Sequence, residues 1–444
     1  MNENQEIPNG WALTSIQDIA DVIMGQSPPS DTYNKDEIGI PFFQGKAEFS
    51  ELHPIVDKWC SKPNKIAKNN DILLSVRAPV GATNLADRKC CIGRGLAAIR
   101  YPHDYKFLYH YFCSIEEELD KKGTGTTFKA ISGDVIRNTK LHLPPLPEQH
   151  RIVAKIEELF SSLDRGIESL KTAQQHLKVY RQAVLKWAFE GKLTNNNVKE
   201  GELPEGWKWV LITDLVGKNK HALKAGPFGS SLKKEFYVKK GYKIYGQEQV
   251  ISGDPFYGDY YVNEDKYQEL YSNRIKPLDV LISLVGTVGK VLILPENCAA
   301  GIINPRLIKI SLDTNVYLPK FFKYYFESSS VKSFYSSKAQ GTTMDVLNLS
   351  IIKKIKFPLC SLSEQQTIVA EIESRLSVCD KIEESIEQSL IESESLRQSI
   401  LKKAFEGKLV PQDPNDEPAA KLLERIKAEK VNDKLSKKGG TRKG

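Results

Sequence analysis

Apolar positions follow two different rhythms along the chain. From Glu148 to Glu190 there is no proline, and Gly166 is the sole glycine. Within this stretch Ile156, Leu163, Leu170, Leu177 and Val184 recur every seventh residue, with Leu159, Ala173, Tyr180 and Trp187 between them. That spacing predicts a long helix with a coiled-coil seam. A second stretch keeps the pattern at Ile372, Cys379, Ile382, Ile386, Leu396 and Ile400, interrupted by Arg375, Ser389, Ser393 and Lys403. Gly191 and Gly407 follow the two stretches and read as left-handed helix stops. Elsewhere the rhythm is short: β-rich runs such as Asp71–Val76, Asp279–Val285 and Lys290–Leu294 are bounded by Gly, Pro and Asn. Short helices are expected over Phe107–Asp120 and Pro319–Ser329.

The two long stretches are copies of each other. Residues 143–193 align without a gap to residues 359–409, an offset of 216, with 23 identities in 51 positions. Weaker matches lie upstream: Ile7–Trp11 with Leu203–Trp207, Asp71–Gly81 with Asp279–Gly289, and Gly125-Thr126-Thr127 with Gly341-Thr342-Thr343. The chain is therefore a tandem duplication. The expected parts are residues 1–147, a helix over 148–197, a second globular part over 198–362, a helix over 363–410, and a short helix with a basic tail over 411–444. At ~1.5 Å per residue the first helix is about 65 Å long. A compact domain of ~150 residues has a radius of gyration of only about 15 Å. Such a helix outreaches its own domain, and pairing of the two as an antiparallel coiled coil satisfies both apolar stripes. Two helices packed separately on their own domains are the alternative.

With 444 residues, 40% hydrophobic and 27% charged, the chain has the make-up of a folded multidomain protein. No apolar run approaches the ~20 residues of a membrane helix. The first residues lack the basic-then-apolar pattern of a secretory signal. Seven scattered cysteines without a C-x-x-C pair fit a reducing cytoplasm better than a disulfide framework or zinc finger. The net charge of +7 is unevenly placed: residues 1–147 carry −1, and residues 198–362 carry +7. A basic second domain suits a polyanion, with an ordinary solvated surface as the alternative.

Catalytic signatures are missing. Ser27-Pro28-Pro29-Ser30 lacks the aromatic fourth residue by which adenine methyltransferases grip a flipped base. Gly286-Thr287-Val288-Gly289-Lys290 has neither the spacing nor the following hydroxyl of a phosphate loop. The turn at residues 226–231 could cradle a phosphate or be merely a glycine turn. No histidine pattern suggests a metal site, and no nucleophile, base and acid group together. A non-catalytic chain is expected.

Two α/β parts, each followed by a helix ending in A-F-E-G-K-L, resemble the specificity subunit of type I restriction–modification enzymes. The helix start at Pro145–Gln149 and its counterpart Ser363–Gln365, the Pro-x-Gly-Trp openings at Pro8 and Pro204, and the closing PAAKLLERIKAEK of residues 418–430 carry the resemblance. It spans essentially the whole chain. The second helix start departs from the pattern, Cys360, Ser361 and Ser363 standing where the first has prolines, so a different turn is expected there. The resemblance implies two target recognition domains, each contacting one half of a split double-stranded DNA target. It implies helices that set the gap and dock two DNA methyltransferase subunits, with restriction/translocase subunits joining the complex. S-adenosylmethionine, ATP and magnesium would then belong to the partners, with no cofactor or metal on this chain.

Base reading needs forked donors and amides, and affinity needs cations on phosphates. In the first domain the loop-like positions with such groups are Gln44, Lys46, Arg77, Arg88, Lys89 and Arg94. In the second they are Lys220, Lys224, Lys233, Lys234, Gln247, Lys290, Asn304 and Arg306. The repeated Thr126-Thr127 and Thr342-Thr343 could hold phosphates or form structural turns. Arg77 stands out, because it lies inside a repeated frame whose counterpart is Val285. For partner docking, the matched helix ends point to Phe189, Glu190 and Lys192 and to Phe405, Glu406 and Lys408, suited to two copies of one partner. The same residues could instead cap each helix against a domain. Two rivals remain open: a coiled-coil scaffold that binds proteins, and a nuclease or transferase with an unrecognised site.

Overall fold

The computed structural model describes residues 7–125, 129–195, 198–199, 202–228, 230–338 and 347–440, without the side chains of 338 and 432–440. Contacts divide the chain into two compact units: residues 1–170 with 388–444, and residues 171–387. Each long helix, Leu146–Phe189 and Leu362–Phe405, therefore contributes one part to each unit.

The globular part of the first unit is built on a central strand, Ile72–Ser75, lying between Leu96–Arg100 and Thr83–Leu85, with Asp21–Met24 at the edge. All pairings in this sheet are antiparallel. The central strand is buried along its whole length because both faces are covered. Ile72 and Leu74 face one core with Ala97 and Ile99, while Leu73 faces another with Leu96 and Ala98. A second, mixed sheet pairs Ile40–Phe43 in parallel with Cys90–Ile92. The ribbon Ala12–Ser15 with Lys140–Leu143 joins the start of the domain to its end.

The second unit repeats this plan. Val280–Ser283 lies between Leu307–Ile310 and Val291–Ile293, with Leu223–Ala225 at the edge. Tyr242–Tyr245 runs parallel to Gly301–Ile303, and Lys208–Leu211 pairs with Lys356–Leu359. The expected short helices are present. The first is broken at Ile115 into Tyr105–Ser114 and Glu116–Lys121, and the second spans Pro319–Phe326.

Within each unit the two long helices run antiparallel. In the second unit Thr194 and Asn195 bond Glu364, and Arg181 binds Asp380 and Glu383 at 2.7 and 2.9 Å. In the first, Arg397 pairs with Asp164 and lies over the Phe160 ring. The ends of the helices do most of the packing. Ile152, Val153 and Ile156 enter the first core together with Ile400, Leu401, Ala404 and Phe405. Val184, Leu185, Ala188 and Phe189 enter the second with Ile368, Val369 and Ile372. The helix starts use one turn geometry despite their different residues: Gln149 Nε2 donates to the Pro144 carbonyl and Gln365 Nε2 to that of Cys360. The missing prolines thus leave the turn intact, because the glutamine amide closes it.

The apolar seam is thinner than its spacing suggests. Tyr180 and Trp187 are 39% and 41% exposed, and Leu185 and Ala188 are buried at the end where Trp187 was expected. A straight helix drifts ~20° per heptad, so about five heptads rotate the inward stripe by roughly one residue. In the second helix Ile372, Cys379, Ile386 and Ile400 form one buried line, while Ile382 and Leu396 are exposed.

Candidate nucleic-acid interface

At one end of each globular part four loops are bound to one another by the same backbone bonds. In the first domain Gly25 N donates to Leu96 O, Gly93 N to Phe43 O, Val76 N to Gly95 O and Gly81 N to Ser75 O. The second domain has Gly226 N to Leu307 O, Asn304 N to Tyr245 O, Leu284 N to Arg306 O and Gly289 N to Ser283 O. Gly25 and Gly226 are held so closely that a Cβ would lie 2.1 Å from the Gly93 carbonyl oxygen and 1.9 Å from that of Asn304. Only glycine permits that approach. The clamp joins the loop after the edge strand, the loop after the parallel strand, the turn after the central strand and the tight turn before its neighbour.

On the first rim this frame gathers Gln44, Lys46, Arg77 and Arg94, all exposed. The Arg77 backbone bridges Ala130, and Arg94 N donates to Ser27 Oγ. Among the described residues no carboxylate pairs with Arg77 or Arg94, whereas Lys46 lies 3.9 Å from Glu116. On the second rim lie Asn304, Arg306 and Lys290, the last placed there because Ser283 N donates to Lys290 O at the end of the central strand. Asn304 Oδ1 accepts from Arg306 N and shapes the turn that presents that arginine.

Other expected readers are not on the rim. Arg88 and Lys89 lie past Ala86, which bonds Asp71 at the start of the central strand, the opposite end from Arg77. Arg88 is also paired with Asp87, which holds that carboxyl below its usual range. Lys220 likewise precedes its strand, whose far end leads to the rim, and Lys224 is half-buried opposite Lys309 within the sheet. Gln247 is buried, its amide donating to the Val285 carbonyl, so it supports the turn and does not face outward. Lys233 and Lys234 are exposed just beyond the rim, Lys233 lying 3.7 Å from Glu235. Thr126, Thr127, Thr342 and Thr343 lie outside the described residues. The residue that sequence reasoning passed over is Phe228, in the loop weighed only as a phosphate cradle. An aromatic beside glycine, with lysines on both sides, was the available signal.

The matched helix ends also need correction. Phe189 and Phe405, expected to dock a partner, are interior at 6% and 7% exposure. Phe189 packs edge-on against Phe321 and Tyr325, and Phe405 packs edge-on against Tyr111 and tilted against Phe107. Gly191 and Gly407 adopt positive φ of 72° and 71° as helix stops. They abut Pro204 and Pro8, the prolines of the repeated openings. What remains outside is polar: Glu190 with Lys192 at 2.6 Å, and Glu406 with Lys408 at 2.8 Å.

Among the described residues no three His, Cys, Asp or Glu side chains gather as metal ligands. Nor is any helix among the described residues long and apolar enough to cross a membrane. All seven cysteines are free.

Residues 8–178 and 204–392 both match the type I restriction modification DNA specificity domain. The chain belongs to that family. The specificity subunit of the EcoBI enzyme from Escherichia coli is 24% identical over 96% of this chain and 93% of its own length. The EcoKI specificity subunit from Escherichia coli strain K12 is 24% identical over 96% and 97%. A putative MjaX specificity subunit from Methanocaldococcus jannaschii is 37% identical, over 43% of this chain and 45% of its own. The crystal structure of the HsdS subunit from Thermoanaerobacter tengcongensis shares the fold, with a TM-score of 0.58 at 21% identity over 91% of this chain and 99% of that one. A chain from a study of complex assembly and conformational transition in a type I restriction–modification system shares it too, with a TM-score of 0.66 at 20% identity and the same coverage. This specificity subunit is the DNA-recognition component of its system and is not itself an enzyme.

Proposed function

We propose that each domain reads one half of a split DNA target through its four-loop rim, and that the paired helices set the gap between the halves. The observation that carries this reading is the duplicated clamp: four backbone bonds of one domain repeat position for position in the other while the side chains they present differ. A fixed frame with changeable contacts is what reading two different sequences requires, since backbone contacts place a protein on DNA and side chains at base edges choose the sequence. On the first rim the unpaired guanidiniums of Arg77 and Arg94 are the base readers of choice, because a free arginine fork matches guanine bidentately.

Methyltransferase docking is assigned to the outer surface of the helix ends. A cleft of about 1240 Å³ in the first unit is lined by Lys402, Phe405 and Glu406, together with Glu116, Glu117 and Lys121. A smaller one of about 230 Å³ in the second is lined by the repeat-equivalent Lys186, Phe189 and Glu190, together with Trp209. The clefts differ in size, but their repeat-equivalent helix-end residues suit two copies of one methyltransferase subunit, with restriction/translocase subunits joining that core. S-adenosylmethionine, ATP and magnesium belong to those partners, in a reducing cytoplasm.

Removing one heptad from the middle of each long helix shortens the rod by ~10 Å. At ~3.4 Å per base pair the unspecified gap should shrink by about three base pairs, read by methylation sequencing of a host carrying the complex. A variant that methylates targets with the parental gap would refute the ruler.

A further inference from the structure

We infer that Phe228 is a DNA-stacking residue peculiar to the second domain, its ring inserted against a base step of that domain's half-site. This rests on the proposed reading of the rim and extends it to a contact of a different chemical kind. Phe228 is 90% exposed, the highest value among the large apolar residues described. A ring left almost wholly in water forgoes the stabilisation of burial, and nothing in the domain core covers it.

On one side of Phe228, Gly226 is bonded to Leu307 O and clamped on the Asn304 carbonyl, and Pro227 is buried. On the other, Ser231 N closes a turn onto Phe228 O and Leu232 is buried in a core with Ile244, Val262 and Ile302. Phe228 thus lies between two anchored residues, Gly226 and Leu232, beside the turn that presents Asn304 and Arg306. The sequence from Lys224 through Lys234 contains no carboxylate, and the first one beyond it, Glu235, lies 3.7 Å from Lys233. An aromatic tip with Lys224, Lys233 and Lys234 on either side of it in sequence, and Arg306 on the neighbouring turn, complements a polyanion whose bases offer flat apolar faces.

The first domain supplies the control. The residue at the same place after its glycine clamp is Ser27, whose hydroxyl accepts from Arg94 N and braces the arginine turn. One rim thus carries two free guanidiniums and a serine, and the other carries a phenylalanine. Apolar side chains that part a base step kink the duplex there, a way of choosing sequence that needs no hydrogen bond to a base edge.

The test uses the full chain co-expressed with its methyltransferase. The probe is a duplex bearing the target found by methylation sequencing, with 2-aminopurine at each position of either half-site in turn. The wild-type complex should raise fluorescence at one step of a single half-site. Phe228→Ala should abolish that rise and weaken binding about ten-fold, the scale of one lost base–aromatic stack, while Phe228→Trp restores both. The methylation pattern of the other half-site and the yield of complex should stay unchanged. An Ala variant that binds as tightly as wild type, or a wild-type complex with no fluorescent step, overturns the inference. So does loss of methyltransferase co-purification in the Ala variant, which would mark a protein-docking residue. Failure of the wild-type complex to bind any duplex selectively would instead overturn the reading of the rim itself.

Discussion

In the first domain the turn after the central strand offers Arg77; in the second the same turn, closed by the same bond from its last glycine to the strand-end serine, offers Val285. Where one edge strand leads into Ser27, the other leads into Phe228. The helix-facing sides of the two domains diverge far less. Lys106 reaches Glu157 and Lys320 reaches Glu373, both at 2.7 Å, and Tyr111 and Tyr325 both donate to the carbonyl of the ribbon strand. Difference is thus concentrated at the loop ends of the sheets, and likeness at the helix junctions. Residues that carry packing are tied to many neighbours at once, while residues on an exposed rim can change without disturbing the frame.

The helix junctions should show the largest effects, and equal ones. Phe189→Ala and Phe405→Ala each remove a buried ring from matched aromatic clusters and should cost ~3–5 kcal/mol by denaturant titration. If one is silent, the two junctions are not equivalent. The clamp glycines come next. Gly25→Ala and Gly226→Ala each push a methyl into a carbonyl oxygen, and the forced backbone shift should cost ~1–3 kcal/mol, with recognition lost at the matching half-site only. Loss at both half-sites would show that the rims are not independent.

Arg77→Ala should be smaller and purely one-sided. Discrimination at one base of the first domain's half-site should relax by ~1–3 kcal/mol, read as methylation of targets with single-base changes, while the complex assembles normally. Unchanged specificity would remove Arg77 from the interface. The smallest effect separates the domains by pH. His110 is buried beneath Phe160, and burial pushes its pKa down to about 4, whereas its repeat counterpart is Tyr324. Between its ordinary pKa of ~6.5 and about 4 the unfolded chain binds a proton that the folded one does not, so stability falls as pH drops through that window. At pH 5.5 the loss is about 1 kcal/mol, and His110→Phe should flatten that part of the profile in thermal melts. Tyr324→Phe should leave it unaltered.

Much of this architecture is legible in the sequence because its signals are local or repeated. The heptad spacing, the glycine stops and the 216-residue offset announce two long helices and a duplication. The continuous apolar runs at Ile72–Ser75 and Val280–Ser283 announce strands buried on both faces. Arg77 could be singled out because its frame repeats and its side chain does not. Tertiary structure decided the rest. Phe189 and Phe405 look alike in any alignment, but whether they face a partner or a core depends on the short helix that packs across each helix end. Arg88 and Arg94 are six residues apart on one strand connection, and only the sheet shows that they lie at opposite ends of it. Gln247 is a polar residue in a loop by its sequence and a buried brace in the fold, because the Val285 carbonyl stands beside it. Periodicity and repetition are properties of neighbouring or matched residues, and a sequence displays them directly. Which way a loop residue faces is set by contacts with strands far away in the chain, and those exist only once the sheets have formed.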